Sequence, residues 1–140
     1  MNRREEIKRA VMKFPKLKMT VVKKEGYCYH NYDVGTELVM DDFTHPPKHC
    51  CAGLLKSAFP CLYALSFGAE FKFMPNTKSI LVTCPDNAKL TFKLEVLDNE
   101  GKVIEKPQVE KTKGPNPKTL EIEIEEVRGH CAFGYKQGDK

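Results

Sequence analysis

The sequence predicts a small α+β domain. It should hold a mostly antiparallel sheet, with a proline-broken helical segment (about 50–67) packed on it and a short N-terminal helix. Three observations carry this prediction. Residues 16–24 alternate: Leu17, Met19 and Val21 fall on one face against the polar Lys18, Thr20 and Lys23, the pattern of a half-buried strand. The most apolar stretch, Cys50 to Phe67, sets Leu54, Leu55, Ala58, Leu62 and Leu65 at helical spacing. Runs rich in Phe, Val, Ile and Leu at 70–74, 78–83 and 90–97 read as further strands.

The chain has 140 residues, enough for one domain that buries a core without staples. Charged residues make up 30% and form no long block of one sign, which argues against wholesale disorder. The net charge is +4, with lysines interleaved among glutamates. No concentrated basic face or reading motif points to nucleic acid, so no nucleic-acid partner is expected. No apolar run reaches the roughly 18 residues of a membrane span, and no apolar segment follows the charged start. The expected setting is the cytoplasm, where six cysteines read as thiols or metal ligands before disulfides.

The elements follow in order. Residues 1–15 form the N-terminal helix: Ile7, Ala10, Val11 and Phe14 share a face and Pro15 ends it. A helix this short must dock that face on the domain or a partner. The α+β domain proper spans 16–106. Gly26 ends the first strand, and Val34 to Met40 reads as a second. Asp41 to Lys48 is a loop, with Pro46 and Pro47 denying ladder donors. In the apolar stretch Pro60 is expected to bend the helix near Ala58-Phe59, giving two short helices that end at Gly68. Asp98 to Gly101 is a turn that pairs 90–97 with 102–106. Residues 107–118, with Gly114-Pro-Asn-Pro117, read as a linker.

Residues 119–140 repeat the start of the domain. A shift of 103 residues lays 16–37 on 119–140 without a gap. Leu17, Met19 and Val21 fall on Leu120, Ile122 and Ile124; Gly26, Cys28, Tyr32 and Gly35 fall on Gly129, Cys131, Tyr135 and Gly138. The segment reads either as a partial second copy of the domain start or as one added strand. In both readings strand 119–127 must pair with the sheet, with a second copy or with an unknown protein partner, or stand as an edge guarded by glutamates.

With these residues quoted, residues 16–98 resemble the TIGR04076 family of small uncharacterised prokaryotic proteins. The matching stretches are Gly26-x-Cys28-x3-Tyr32-x2-Gly35, Cys51 with Phe59-Pro60-x3-Ala64-Leu65-x-Phe67-Gly68, and Cys84-Pro85-Asp86. Tyr29-His30-Asn31, Ala52 and Ala69 depart from the family pattern. The resemblance implies no activity.

Chemistry, where present, centres on Cys28, Cys51 and Cys84, which come after a strand, at a helix start and at a strand end. Such positions converge at one end of a small sheet. A thiol at a helix N-terminus is favoured as thiolate. Thiolates with an imidazole suit zinc or iron, and His49 or His30 is near enough in sequence to complete such a site. The plainer reading makes the cysteines core side chains, as Cys61 is expected to be. No Gly-x-Ser-x-Gly, Walker loop, His-Glu-x-x-His or Gly-x-Gly-x-x-Gly is present, so no enzyme class is indicated. Tyr32 is expected to pack under the turn with its hydroxyl satisfied. The function expected is a cysteine-centred, metal- or thiol-dependent binding domain. The alternative is a non-catalytic interaction module with structural core cysteines.

Overall fold

A computed structural model describes residues 13–109 and 119–140. The expected N-terminal helix lies outside the described residues over 1–12, as does the linker from 110 to 118. In chain order the elements are β1 (Lys16–Lys24), β2 (Glu37–Met40), α1 (Ala52–Ser66), β3 (Ser79–Thr83) and β4 (Leu90–Leu97). The four strands form one antiparallel sheet in the order β2-β1-β4-β3. The two long strands are central, and the short β2 and β3 form the edges. The α+β architecture read from the sequence is the one observed.

The alternation in β1 buries Leu17, Met19 and Val21 completely or nearly so. They share the inner face with Leu90, Phe92, Leu94 and Val96 of β4 and Met40 of β2. Helix α1 covers that face with Leu54, Ala58, Leu62 and Leu65, at the helical spacing the sequence shows. The outer face carries lysine–glutamate ion pairs beside the exposed Val39 and Leu81. Lys18 lies 3.5 Å from Glu37 and 3.8 Å from Glu95, and Lys93 lies 3.3 Å from Glu95.

Four expectations need correction. Helix α1 runs unbroken through Pro60. The proline removes the donor to the Lys56 carbonyl, but both residues are exposed, where that loss costs less than in the core. No strand forms at 70–74, where the backbone turns: Met74 N–H donates to the Phe71 carbonyl at 2.9 Å. The second strand starts at Glu37 and not at Val34, because Thr36 N–H still closes the turn on Asp33 at 2.9 Å. The return of the hairpin after Asp98 is one bridge, Leu97 to Val103, with Ile104 N–H on the Val96 carbonyl at 2.8 Å.

The turn after β1 is closed by two backbone bonds, Val21 N–H to Thr36 O at 3.0 Å and Gly35 N–H to Val21 O at 2.9 Å. The same bonds recur 103 residues later: Ile124 N–H to Asp139 O at 3.0 Å and Gly138 N–H to Ile124 O at 2.8 Å. Asn31 N–H to Cys28 O returns as Gly134 N–H to Cys131 O, each at 2.9 Å. Thr36 N–H to Asp33 O at 2.9 Å returns as Asp139 N–H to Lys136 O at 3.1 Å. The side chains follow: the Asp33 N–H bond to Thr36 Oγ1 returns as Lys136 N–H to Asp139 Oδ2. Even the ion pair returns with its signs exchanged, Lys18–Glu37 at 3.5 Å and Glu121–Lys140 at 2.9 Å. Segment 119–140 therefore has the local geometry of 16–37. Unlike β1, however, 119–127 joins no strand pairing among the described residues.

Candidate functional site: a thiol-lined cavity

Three connections meet at one end of the sheet. The turn after β1 is tied to the turn before β4 by Glu25 N–H on the Lys89 carbonyl, 2.6 Å. That second turn closes through Lys89 N–H to Asp86 O at 3.2 Å, with Asn87 and Ala88 both at φ 54°. Helix α1 enters between them, with Cys51 as its N-cap residue.

Tyr32 joins the first turn to the helix. It is buried, and its ring meets Phe92 edge-on with centroids 6.2 Å apart. Its hydroxyl oxygen accepts from the Cys51 N–H at 3.1 Å, and the hydroxyl donates to the His49 carbonyl at 3.4 Å. Burial pushes the Tyr32 phenol above its ordinary range, although the bond from the Cys51 backbone opposes this. The hydroxyl satisfaction expected from the sequence is thus met by the backbone of the helix start.

Between these elements lies a cavity of about 220 Å³, open to solvent and walled almost wholly by apolar atoms. Cys28, Cys51 and Cys84 all line it. Leu54, Leu90 and Phe92 form its floor, and Tyr27, Tyr29 and His30 its rim. Tyr27 and Tyr29 are exposed and meet edge-on at 5.2 Å; His30 stacks on Tyr32 at 5.5 Å. The Cys84 thiol is fixed by its own corner: it accepts from the Leu90 N–H at 3.4 Å and donates to the Asp86 carbonyl at 3.7 Å. Gly53 shapes the wall, since a Cβ there would stand 3.1 Å from Pro85 Cγ and 3.8 Å from Cys51 Sγ.

The convergence of Cys28, Cys51 and Cys84 expected from the sequence is what the fold produces. His49, the fourth residue of the tentative metal set, does not line the cavity. It is exposed, at φ 60°, and is bonded at the site through its backbone carbonyl. Among the described residues no group of three or more His, Cys, Asp or Glu side chains is placed to hold a metal ion. The remaining described cysteines stand apart from the cavity. Burial pushes the Cys50 and Cys61 thiols up, which favours their neutral form. Sequence reading missed the aromatic rim and the Gly53–Pro85 contact. Tyr27 and Tyr29 carry no periodic signal, and a glycine's close neighbour is a tertiary fact.

Among the described residues no helix is long and apolar enough to cross a membrane. No family model, curated protein or solved structure matches the chain.

Proposed function

We propose that the chain is a cysteine-centred binding domain. Its cavity takes a small, largely apolar ligand that is recognised by, or reacts with, thiols. One observation carries the reading: three free thiols from three separate elements line one solvent-open apolar cavity. Such a cavity holds a compact organic group by burial and offers sulfur as its polarizable contact. The three cysteines that carry the family resemblance are the same three that line the cavity, which supports reading them as a set. Zinc or iron is not carried into the proposal, because among the described residues no three donors are placed to hold it. A reducing, cytoplasmic setting belongs to the same reading, since it keeps the thiols available.

The test is competitive alkylation read by mass spectrometry at each cysteine. Cys28, Cys51 and Cys84 should prefer N-phenylmaleimide to iodoacetate more strongly than Cys131 does. Cys131 is the apt control because it occupies the Cys28 position of the repeated turn and does not line the thiol cavity. A reactivity order that follows exposure alone, with no apolar preference at the three, would sink the proposal.

A second reading rests on a different observation. Five cysteines pack against the core, and 119–140 repeats the 16–37 turn bond for bond. On this reading 119–140 is a partial duplicate of the domain start, kept to recruit a protein partner or a second copy. The thiols are then core side chains.

A further inference from the structure

In β1 the apolar row Leu17, Met19 and Val21 is buried under α1 and flanked by strands on both sides. In the repeated unit most of that row is bare: Leu120 is 86% and Ile122 76% exposed, and only Ile124, bonded to its own turn, is half-buried. Segment 119–127 has neither a cover nor a neighbouring strand among the described residues, yet its side chains alternate as a strand's do. An unpaired strand with one apolar face is a template for edge-to-edge addition.

The charges decide which edge. The polar row of β1 carries Lys16 and Lys18, while that of the repeat carries Glu121, Glu123 and Glu125. Pairing two 119–127 segments with each other would set glutamates against glutamates, which is unfavourable. The β2 edge is four residues long and carries Glu37. The place of β1 itself is closed to the repeat, because Glu121 would face the buried Glu95 where Lys18 now stands. The β3 edge is different. Ser79–Thr83 carries no charge, Ile80 and Val82 are only half-buried on the core face, and Leu81 is exposed on the other. Beside Leu81 on β4 lies Lys93.

We propose that segment 119–127 of one chain adds as an antiparallel strand to the edge of β3, which has no neighbouring strand among the described residues, in a second copy, and that the exchange is reciprocal. This rests on the reading of 119–140 as an interaction segment and is independent of the thiol cavity. Setting Glu123 opposite Leu81 places Ile122 and Ile124 against Val82 and Ile80, which extends the core face. The same register brings Glu123 within roughly 10 Å of Lys93 between Cβ atoms, two interstrand spacings, a gap that a lysine and a glutamate side chain together span. Reciprocal exchange gives a closed two-fold dimer with two copies of each contact.

The experiment is analytical ultracentrifugation of the full chain and three variants over a concentration series. Wild type should form a concentration-dependent dimer. Glu123→Pro, which removes the ladder donor opposite Leu81 in a segment outside the core, should be monomeric with an unchanged melting temperature. Lys93→Glu should weaken the dimer about tenfold, and adding Glu123→Lys to it should restore the affinity. A wild-type chain that stays monomeric at about 100 μM overturns the pairing and the second-copy form of the interaction reading, and leaves recruitment of a different protein standing. A dimer that survives Glu123→Pro, or ignores both charge reversals, overturns the β3 pairing while self-association itself stands.

Discussion

At the residue scale Tyr32 holds the site together. Its hydroxyl satisfies the Cys51 N–H at the helix start and donates to the His49 carbonyl. Tyr32→Phe keeps the ring but strands both backbone groups, so it should cost about 1–2 kcal/mol by chemical denaturation. The phenol is held above its ordinary value of 10.0, chiefly by burial. A raised folded pKa gives stability that is complete below the unfolded value and lost as pH rises. Wild type should therefore weaken above about pH 10 by an increment that the Phe variant lacks. Asp42 behaves in the opposite sense. Bonds from Thr44 and then His45 hold its carboxyl down to about 2, from an ordinary 3.8. Its contribution is present above that ordinary value and is lost as pH falls toward about 2. Urea midpoints at pH 6 and near pH 2.5 should show a larger loss for wild type than for Asp42→Asn. Equal losses would remove the Asp42 contribution. Little of this was legible beforehand. The sequence marks Tyr32 as a packing residue with a satisfied hydroxyl, but its partners are backbone groups 17 and 19 residues away.

At the element scale the strands were legible where one face is buried and the other wet. The alternation in 16–24 and the run 90–97 gave β1 and β4 their bounds, because sidedness writes itself into period two. The run 70–74 has the same apolar content and forms no strand, because apolar content alone does not bring pairing; its backbone bonds go to a turn and to Thr77. Pro60 was read by its local rule, but helix α1 runs on. The packing of Leu54, Ala58, Leu62 and Leu65 on the sheet outweighs one lost bond at an exposed position. Pro60→Ala should accordingly stabilise the domain by roughly 1–3 kcal/mol, read from the denaturation midpoint, since proline in a helix interior is the less favourable residue. No gain would mean that the helix around Pro60 is already distorted to suit it.

At the scale of the whole molecule the chain holds one geometry twice and a core once. Gly35 and Gly138 occupy the same place in the two turns, at φ 92° and 85°. Alanine at either position enters the left-handed region, which costs an L-residue roughly 1–2 kcal/mol. Gly35→Ala should lower the stability of the domain by about that much, whereas Gly138→Ala should leave its unfolding midpoint where it was. Deletion of 119–140 should likewise change the stability of the remaining monomer by less than about 0.5 kcal/mol, as surface changes do. A large loss on deletion would mean that the repeated segment belongs to the core after all.

The sequence by itself determined the fold class, the inner face of the sheet, the buried stripe of α1 and the offset at which the first turn returns. Each is a matter of periodicity or self-comparison, and both are local in the chain. It also singled out Cys28, Cys51 and Cys84 and the end of the sheet where they meet. Only the tertiary structure decided that these thiols share one apolar cavity with an aromatic rim, that His49 stays outside it, and that the second turn has no covering helix among the described residues. These depend on how the β1 turn, the start of α1 and the corner before β4 close on one another. Contacts among groups so far apart in the chain are set by packing, which leaves no period in the sequence.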